Sequence, residues 1–316
     1  MGKSRGRHEG LITDAQAVLG SPTLIQTSST DGFVRTWDMR THESVESYTK
    51  GPGKSACSCT CNLNLVAAGI GEQLVLWDRR TRKIITSFED THDQDIIQMK
   101  FNPSFPSAMI SGSEDGSLAV FDVSQVIDEE DSFVGALSIN TSISKIGFYG
   151  RDKSSLWCTS GTESVHWWDW KQSCDPESTG GAGVTAEALE PRQNLFVGSH
   201  PCDYLISCHY SDIEDSVFTF VGDTHGSAAV YTSFNPQGTT QVAFSSQPLY
   251  LLRGGHKDVV RAIVPCTGSM QFHEDAERSL TLLSGGEDGR ICLWAPQQSG
   301  WNEAQAHHRQ NRTSPY

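Results

Sequence analysis

The chain has 316 residues, with 24 Lys+Arg against 38 Asp+Glu and a net charge of −14. That length can bury a substantial core. So acidic a balance, with no Lys/Arg cluster beyond the first seven residues, argues against nucleic acid or anionic lipid as a partner. No run of 18 apolar residues exists, which excludes a transmembrane helix, and no apolar run follows the basic start at Lys3, Arg5 and Arg7, which argues against a secretory signal.

In chain order, a basic segment (1–7) precedes six segments that share one pattern. They are Ser29–Asp38, Gly69–Asp78, Ser113–Asp122, Gly161–Asp169, Asp223–Thr232 and Gly286–Ala295. Each is a turn followed by an alternating strand that ends at an aromatic: Trp37, Trp77, Phe121, Trp168, Tyr231 and Trp294, at spacings of 40, 44, 47, 63 and 63 residues. Two further short apolar runs stand ahead of most of them, as in Ile96–Phe101 and Ser107–Gly112 or Val259–Val264 and Leu280–Gly285. Three short strands per unit, repeated about every 40–45 residues, predict propeller blades. A helical reading fails, because the alternation has period two and Gly or Pro interrupts it about every 10 residues.

Over about residues 8–296 the chain resembles the WD-repeat family of β-propellers. The motifs are clearest in the last unit: Gly255-His256 opens it, Leu283-Ser284-Gly285-Gly286-Glu287-Asp288-Gly289 makes the turn and Trp294 closes the third strand. The resemblance implies an all-β propeller with six recognisable blades at about 8–47, 48–91, 92–137, 138–199, 200–252 and 253–296, and a flexible tail at 297–316. It also implies a buried hydrogen-bonded set in each well-matched blade: His256, Ser284, Asp288 and Trp294 in the last, His8, Thr27, Asp31 and Trp37 in the first, and His92, Ser111 and Asp115 in the third. Phe121 has no indole N–H, so the third set is expected to be shorter. Units two, four and five lack the turn aspartate: Gly71 replaces it in the second, the fourth turn is short, and His225 falls there in the fifth. One branch of the family, to which Ser138–Trp170, Leu252–His256 and Ser284–Asp288 are similar, reads as seven blades. The chain is therefore expected to lack an N-terminal blade, leaving apolar flanks at Leu11, Ile12, Val18 and at Ile263, Ile291, Leu293. A closed six-bladed ring is the alternative.

Insertions are expected at Lys171–Ser199, with a flexible Ser178–Gly183 loop, at Phe272–Arg278, and at the acidic link Asp128–Asp131. Loops on a rigid scaffold either carry function or serve as spacers. His256, Ser284 and Asp288 have the residue types of a hydrolase triad, but the same trio recurs where the fold itself needs it, and no Gly-x-Ser-x-Gly elbow or phosphate loop is present. Cys57, Cys59 and Cys61 alternate along a predicted strand and so share one face. Without zinc spacing they read as small buried apolar residues, and neither metal nor cofactor is expected. Nine cysteines, an odd number, with no secretory signal read as reduced thiols in the cytoplasm or nucleus.

Ile25–Arg40 (IQTSSTDGFVRTWDMR) resembles the sixteen-residue box of WD-repeat proteins that dock on the adaptor of cullin-4 ubiquitin ligases, and Trp77-Asp78-Arg79-Arg80 is a weaker second copy. The resemblance implies partner docking through Asp38, Arg40, Asp78 and Arg80. The expected function is a non-enzymatic protein-interaction scaffold, with a ligase substrate receptor as the alternative.

Overall fold

The computed structural model describes residues 6–51, 53–124, 128–174, 184–212, 215–234, 243–266 and 281–295. Its described residues form six antiparallel sheets of three or more strands in chain order, one per repeat unit, and one separate two-stranded hairpin. The first has strands Ile12–Val18, Ser21–Ser29, Phe33–Asp38 and Glu43–Thr49, and the second Ala56–Cys61, Leu65–Ile70, Gln73–Asp78 and Ile84–Phe88. The third has Ile96–Phe101, Ala108–Ser113, Ser117–Asp122 and Phe133–Ser138, and the fourth Ile143–Tyr149, Ser155–Ser160, Val165–Asp169 and Val184–Leu189. In the fifth, Tyr204–Ser211, Ser216–Gly222 and Ala228–Phe234 are followed by two short strands, Ala243–Phe244 and Tyr250–Leu252, that both pair with Ala228–Phe234. The sixth has three strands among the described residues: Val260–Cys266, Thr281–Gly286 and Ile291–Trp294.

The chain divides into two compact units. The larger holds sheets one to three and most of the fourth. The smaller holds sheets five and six, the short hairpin Phe196–Val197 with His200–Pro201, and most of strand Val184–Leu189. Within the larger unit the cores lie between successive sheets. Val34, Tyr48, Cys59 and Trp77 join the first to the second, Leu74, Phe88, Met99 and Phe121 the second to the third, and Ile110, Leu118, Ile146 and Trp168 the third to the fourth. In the smaller unit Phe218, Val230, Leu252, Ile263, Leu282 and Trp294 join the fifth sheet to the sixth. Each fully buried large side chain of this kind contributes about 1.5–3 kcal/mol, and no sheet could bury its faces alone.

Turn chemistry fixes the strand pairing. In sheets one, three and six the turn before the third strand runs Thr30-Asp31-Gly32, Glu114-Asp115-Gly116 and Glu287-Asp288-Gly289. The glycine N–H reaches back to the carbonyl three residues earlier, and its φ lies at 79°, 85° and 72°. A side chain there would be strained, which is why glycine follows the aspartate. The second sheet uses a two-residue turn between Ile70 and Gln73, with positive φ only at Gly71, the type II′ hairpin.

A feature with no sequence signature also repeats. In every sheet the leading strand carries an irregularity near its start, at Thr13, Cys57, Ile97, Ser144, Ile206 and Arg261. A second row occurs in the fourth strands of the first three sheets, at Val45, Ile85 and Val134, each next to the residue paired with the closing aromatic and each exposed. Bulges of this kind bend an edge strand away from foreign strands.

Several expectations require correction. Asp128–Asp131 is not a plain link: Asp128 caps a short helix, Glu129–Ser132, and the Glu129 carboxylate accepts from the Glu89 N–H and the Thr91 hydroxyl. Lys171–Ser199 is not only a loop, because it contains strand Val184–Leu189, the helical turn Pro191–Asn194 and the short hairpin. Of the expected exposed flanks, Leu11, Ile12 and Ile291 are exposed but Val18 and Ile263 are buried. Residues 1–5, the Ser178–Gly183 loop, Phe272–Arg278 and the tail lie outside the described residues.

Candidate functional site

In the last sheet, His256 Nε2 lies 2.7 Å from Ser284 Oγ, His256 Nδ1 lies 3.0 Å from Asp288 Oδ1, and Trp294 Nε1 donates to Ser284 Oγ at 2.7 Å. An ionised Asp288 only accepts, so His256 Nδ1 donates to it. In the neutral ring Nε2 then accepts the Ser284 proton, while the Ser284 oxygen takes the indole N–H. Burial pushes the Asp288 carboxyl up, but hydrogen bonds from His256 and from the backbone N–H groups of Lys257 and Arg290 outweigh it and hold the carboxyl at about 2.

The first sheet has the same arrangement. His8 Nε2 lies 2.7 Å from Thr27 Oγ1, His8 Nδ1 lies 3.1 Å from Asp31 Oδ2, and Trp37 Nε1 donates to Thr27 Oγ1 at 2.7 Å. In both sheets the residue after the histidine, Glu9 or Lys257, donates its N–H to the aspartate at 2.9 Å.

The third sheet differs from the sequence reading. His92 Nε2 meets Ser111 Oγ at 2.7 Å and Asp93 N–H meets Asp115 at 2.9 Å, as in the other two. The set is not shorter, however. Ser117 enters it, 2.8 Å from His92 Nδ1, and donates to Asp115 Oδ1 at 2.5 Å. His92 and Asp115 themselves stand 3.4 Å apart. Burial pushes the His92 imidazole below its usual range, against the pull of Asp115. In the fifth sheet Asp223, two residues ahead of His225, closes the turn by accepting from the N–H groups of His225 and Ser227. Ser117 and Asp223 were both missed; a hydroxyl or carboxylate within two residues of the turn was the signal available for each.

These sets have the distances of a hydrolytic triad but not its accessibility. Ser284, His256, Ser111 and His92 are all buried, and the Ser284 oxygen is engaged by both His256 and Trp294. The three cysteines do not share a face. The irregularity at Cys57 turns its thiol to Asp95, 3.6 Å away, while Cys59 and Cys61 enter the core between the first two sheets. Burial raises all three thiols, Cys61 to about 11. Among the described residues no three His, Cys, Asp or Glu side chains converge as a metal site.

The two docking boxes also differ. Asp38 holds Arg40 through Nε at 3.1 Å and Nη2 at 2.7 Å, and the Arg40 side chain and N–H bring the carboxyl down to about 2. Beneath this rim a cavity of about 270 Å³ is lined by Ile12, Ile25, Thr27, Trp37, Asp38, Met39 and His42. In the second box Asp78 accepts instead from the Thr81 N–H at 2.7 Å. Arg79 turns inward to Glu46 of the first sheet at 3.1 Å, where the Tyr48 hydroxyl also donates, and so ties the two rims together. Arg80 is exposed, and among the described residues its guanidinium makes no hydrogen bond or ion pair.

Comparison with known proteins agrees with this architecture. The family model "WD domain, G-beta repeat" matches residues 246–295. The chain is similar to "WD repeat-containing protein GTS1" of Arabidopsis thaliana, 28% identical over 94% of this chain and 75% of that protein. It is also similar to "WD repeat-containing protein 89 homolog" of Dictyostelium discoideum, 26% identical over 91% of this chain and 72% of that protein. Among solved structures, the WD40 repeats of RRP9 superpose with a TM-score of 0.59 at 16% identity, covering 92% of this chain and 77% of that one.

Proposed function

This chain being a WD-repeat β-propeller, we propose that it works as a non-enzymatic scaffold that binds other proteins at the rim of its first two sheets. The observation that carries this reading is the contrast at that rim. Arg79 and Glu46 fix the backbone of two adjacent sheets, and Arg80 beside them is left exposed and uncommitted. A planar guanidinium held on a rigid rim suits bidentate pairing with a partner's carboxylate or carbonyl groups. The burial of the His92–Ser111 and His256–Ser284 pairs supports a role without chemistry, because no substrate carbonyl could reach those hydroxyls. All nine cysteines are free thiols, which supports a reducing compartment, cytoplasmic or nuclear.

The finer alternative is a substrate receptor that docks on the adaptor of a cullin-4 ubiquitin ligase. It draws on the two boxes ending at Arg40 and Arg80. Co-precipitation of the full chain with that adaptor is the test. Under the receptor reading Arg80→Ala weakens capture strongly, Arg40→Ala weakens it less because Asp38 already occupies that guanidinium, and the double variant abolishes it. Capture unchanged in the double variant would leave the scaffold reading without this partner. A set of partners from intact cells that is retained by Arg80→Ala would move the docking surface off this rim.

A further inference from the structure

Contrary to the expectation from the sequence, one basic cluster stands beyond the first seven residues. Arg79, Arg80, Arg82 and Lys83 all lie in the turn between strands Gln73–Asp78 and Ile84–Phe88 of the second sheet. These four cations stand against the single carboxylate of Asp78, a formal sum of +3 on a chain whose net charge is −14. The matching turn of the first sheet, Asp38–Glu43, has only Arg40 against two carboxylates, a formal sum of −1.

The basic turn is fixed by its own hydrogen bonds. The Asp78 N–H donates to the Lys83 carbonyl at 3.0 Å, and the Asp78 carbonyl accepts from the Arg82 N–H at 2.8 Å. Arg82 is left-handed, at φ 59°, and its guanidinium donates to the Val45 carbonyl of the first sheet at 3.3 Å. Arg79 is taken by Glu46, and the Asp78 carboxylate is spent on Thr81. Arg80 and Lys83 are left over: both are exposed, and among the described residues neither side chain makes a hydrogen bond or an ion pair.

Apolar surface adjoins these cations. Successive strand side chains normally face opposite ways. The irregularity at Ile85 instead leaves Ile84 and Ile85, directly after Lys83, exposed at 45% and 42%. Val45, whose carbonyl Arg82 touches, is exposed as well. A phosphate backbone gains nothing from isoleucines, and an extended polyanion or anionic membrane would meet the repulsion of so acidic a chain. A short peptide segment meets neither objection.

We propose that this turn and the two isoleucines after it bind a short acidic segment of a partner protein, one that carries an apolar side chain among its carboxylates. The carboxylates pair with Arg80 and Lys83, and the apolar side chain covers Ile84 and Ile85. The turn is ordered before the partner arrives, so binding costs it little conformational freedom. The site lies on the same rim as Arg80, and so its assignment rests on that rim being where partners dock.

The test is selection of random displayed peptides on the folded full chain, followed by fluorescence-anisotropy titration of the enriched peptides. Enriched sequences should carry Asp and Glu with Leu, Ile or Phe among them, and their affinity should fall as salt rises. Arg80→Gln and Lys83→Gln should each weaken binding about three- to tenfold, and Lys83→Glu more. Ile84→Ser combined with Ile85→Ser should weaken it about tenfold. Lys54→Gln, at an exposed lysine outside the turn, should change nothing. All the substituted side chains are exposed, so an unchanged unfolding midpoint certifies each variant as folded. No enrichment, enrichment of uncharged peptides, or undiminished binding to Lys83→Glu would overturn the proposal. So would a single-stranded oligonucleotide that binds the turn and is not displaced by the acidic peptides. The rim reading itself fails on a different result, the retention by Arg80→Ala of partners from intact cells.

Discussion

The third and sixth sheets solve one problem in two ways. Both must bury a histidine beside a serine and keep each polar atom satisfied. The sixth does it with Trp294, whose indole N–H fills the second position on Ser284. The third has Phe121 there, an apolar ring packed 5.2 Å from Phe88 and 6.0 Å from Phe133, and places Ser117 on the far side of the imidazole instead. The parts common to both are the histidine–serine contact at 2.7 Å and the backbone N–H that follows the histidine onto the aspartate. The closing aromatic therefore packs in either sheet, but only Trp294 also donates to its serine. In the third sheet Ser117 instead bridges His92 and Asp115, whereas in the sixth the histidine and aspartate meet directly.

The largest expected effect separates those two roles. Trp294→Ala removes a fully buried ring, at about 3–5 kcal/mol, and leaves Ser284 without its indole donor, adding about 1–3 kcal/mol. Phe121→Ala carries only the first of these. Denaturant unfolding of the two variants, or of the smaller and larger units by hydrogen exchange, should show the difference. Equal destabilisation would mean that the indole N–H contributes nothing beyond its ring.

A smaller change breaks the other solution. Ser117→Ala removes the hydroxyl between His92 and Asp115, which stand only 3.4 Å apart and can close on each other. The cost should be about 0.5–1.5 kcal/mol, that of one hydrogen-bonded link. A cost as large as that of Trp294→Ala would show that the third set cannot re-form without the serine.

Ser117 also marks how far sequence reading reaches. The Asp-Gly turns and the aromatics forty to sixty residues apart are local chemistry, and they lead directly to six sheets; His8, His92 and His256 beside their hydroxyls follow only from the family resemblance. Ser117 follows the turn as any strand residue does; only the pairing of the leading strand with its neighbour brings His92 onto it. The common pattern does not mark Asp223, because the turn it closes is displaced from that pattern by two residues. Cys57 fails for a deeper reason. Strict alternation assigns it the face of Cys59 and Cys61, but a one-residue irregularity reverses everything before it, and nothing in Ala56–Cys61 encodes that shift. The same irregularity in all six leading strands belongs to the stacking of sheets, not to any one segment. At the rim, the boxes around Arg40 and Arg80 look alike in sequence, yet Asp38 turns to its own arginine and Asp78 to a backbone N–H.

The smallest effect distinguishes the two sets by pH. In the third sheet His92 titrates below its unfolded value of 6.5, so the unfolded chain takes up the proton first. The stability contributed by neutral His92 is complete above about 6.5 and declines as pH falls below it. In the sixth sheet the titrating partner with a resolved shift is Asp288, held at about 2. Its contribution is complete above the unfolded carboxylate range near 4 and is lost only as pH falls from there toward 2. The wild-type chain should therefore lose stability in two separate steps, with a slope of at most about 1.4 kcal/mol per pH unit for each proton taken up. Asp288→Asn should reduce the strongly acidic slope without abolishing it, because Asp38 is also held at about 2, and should leave the weakly acidic one unchanged. His92→Gln should reduce the weakly acidic slope without abolishing it, because burial also lowers His166 in the fourth sheet. Denaturant midpoints between pH 7.5 and pH 5, chosen as about one pH unit either side of the histidine range, give the reading. A His92→Gln slope as steep as that of the wild type would place the proton uptake elsewhere and remove the distinction between the two sheets.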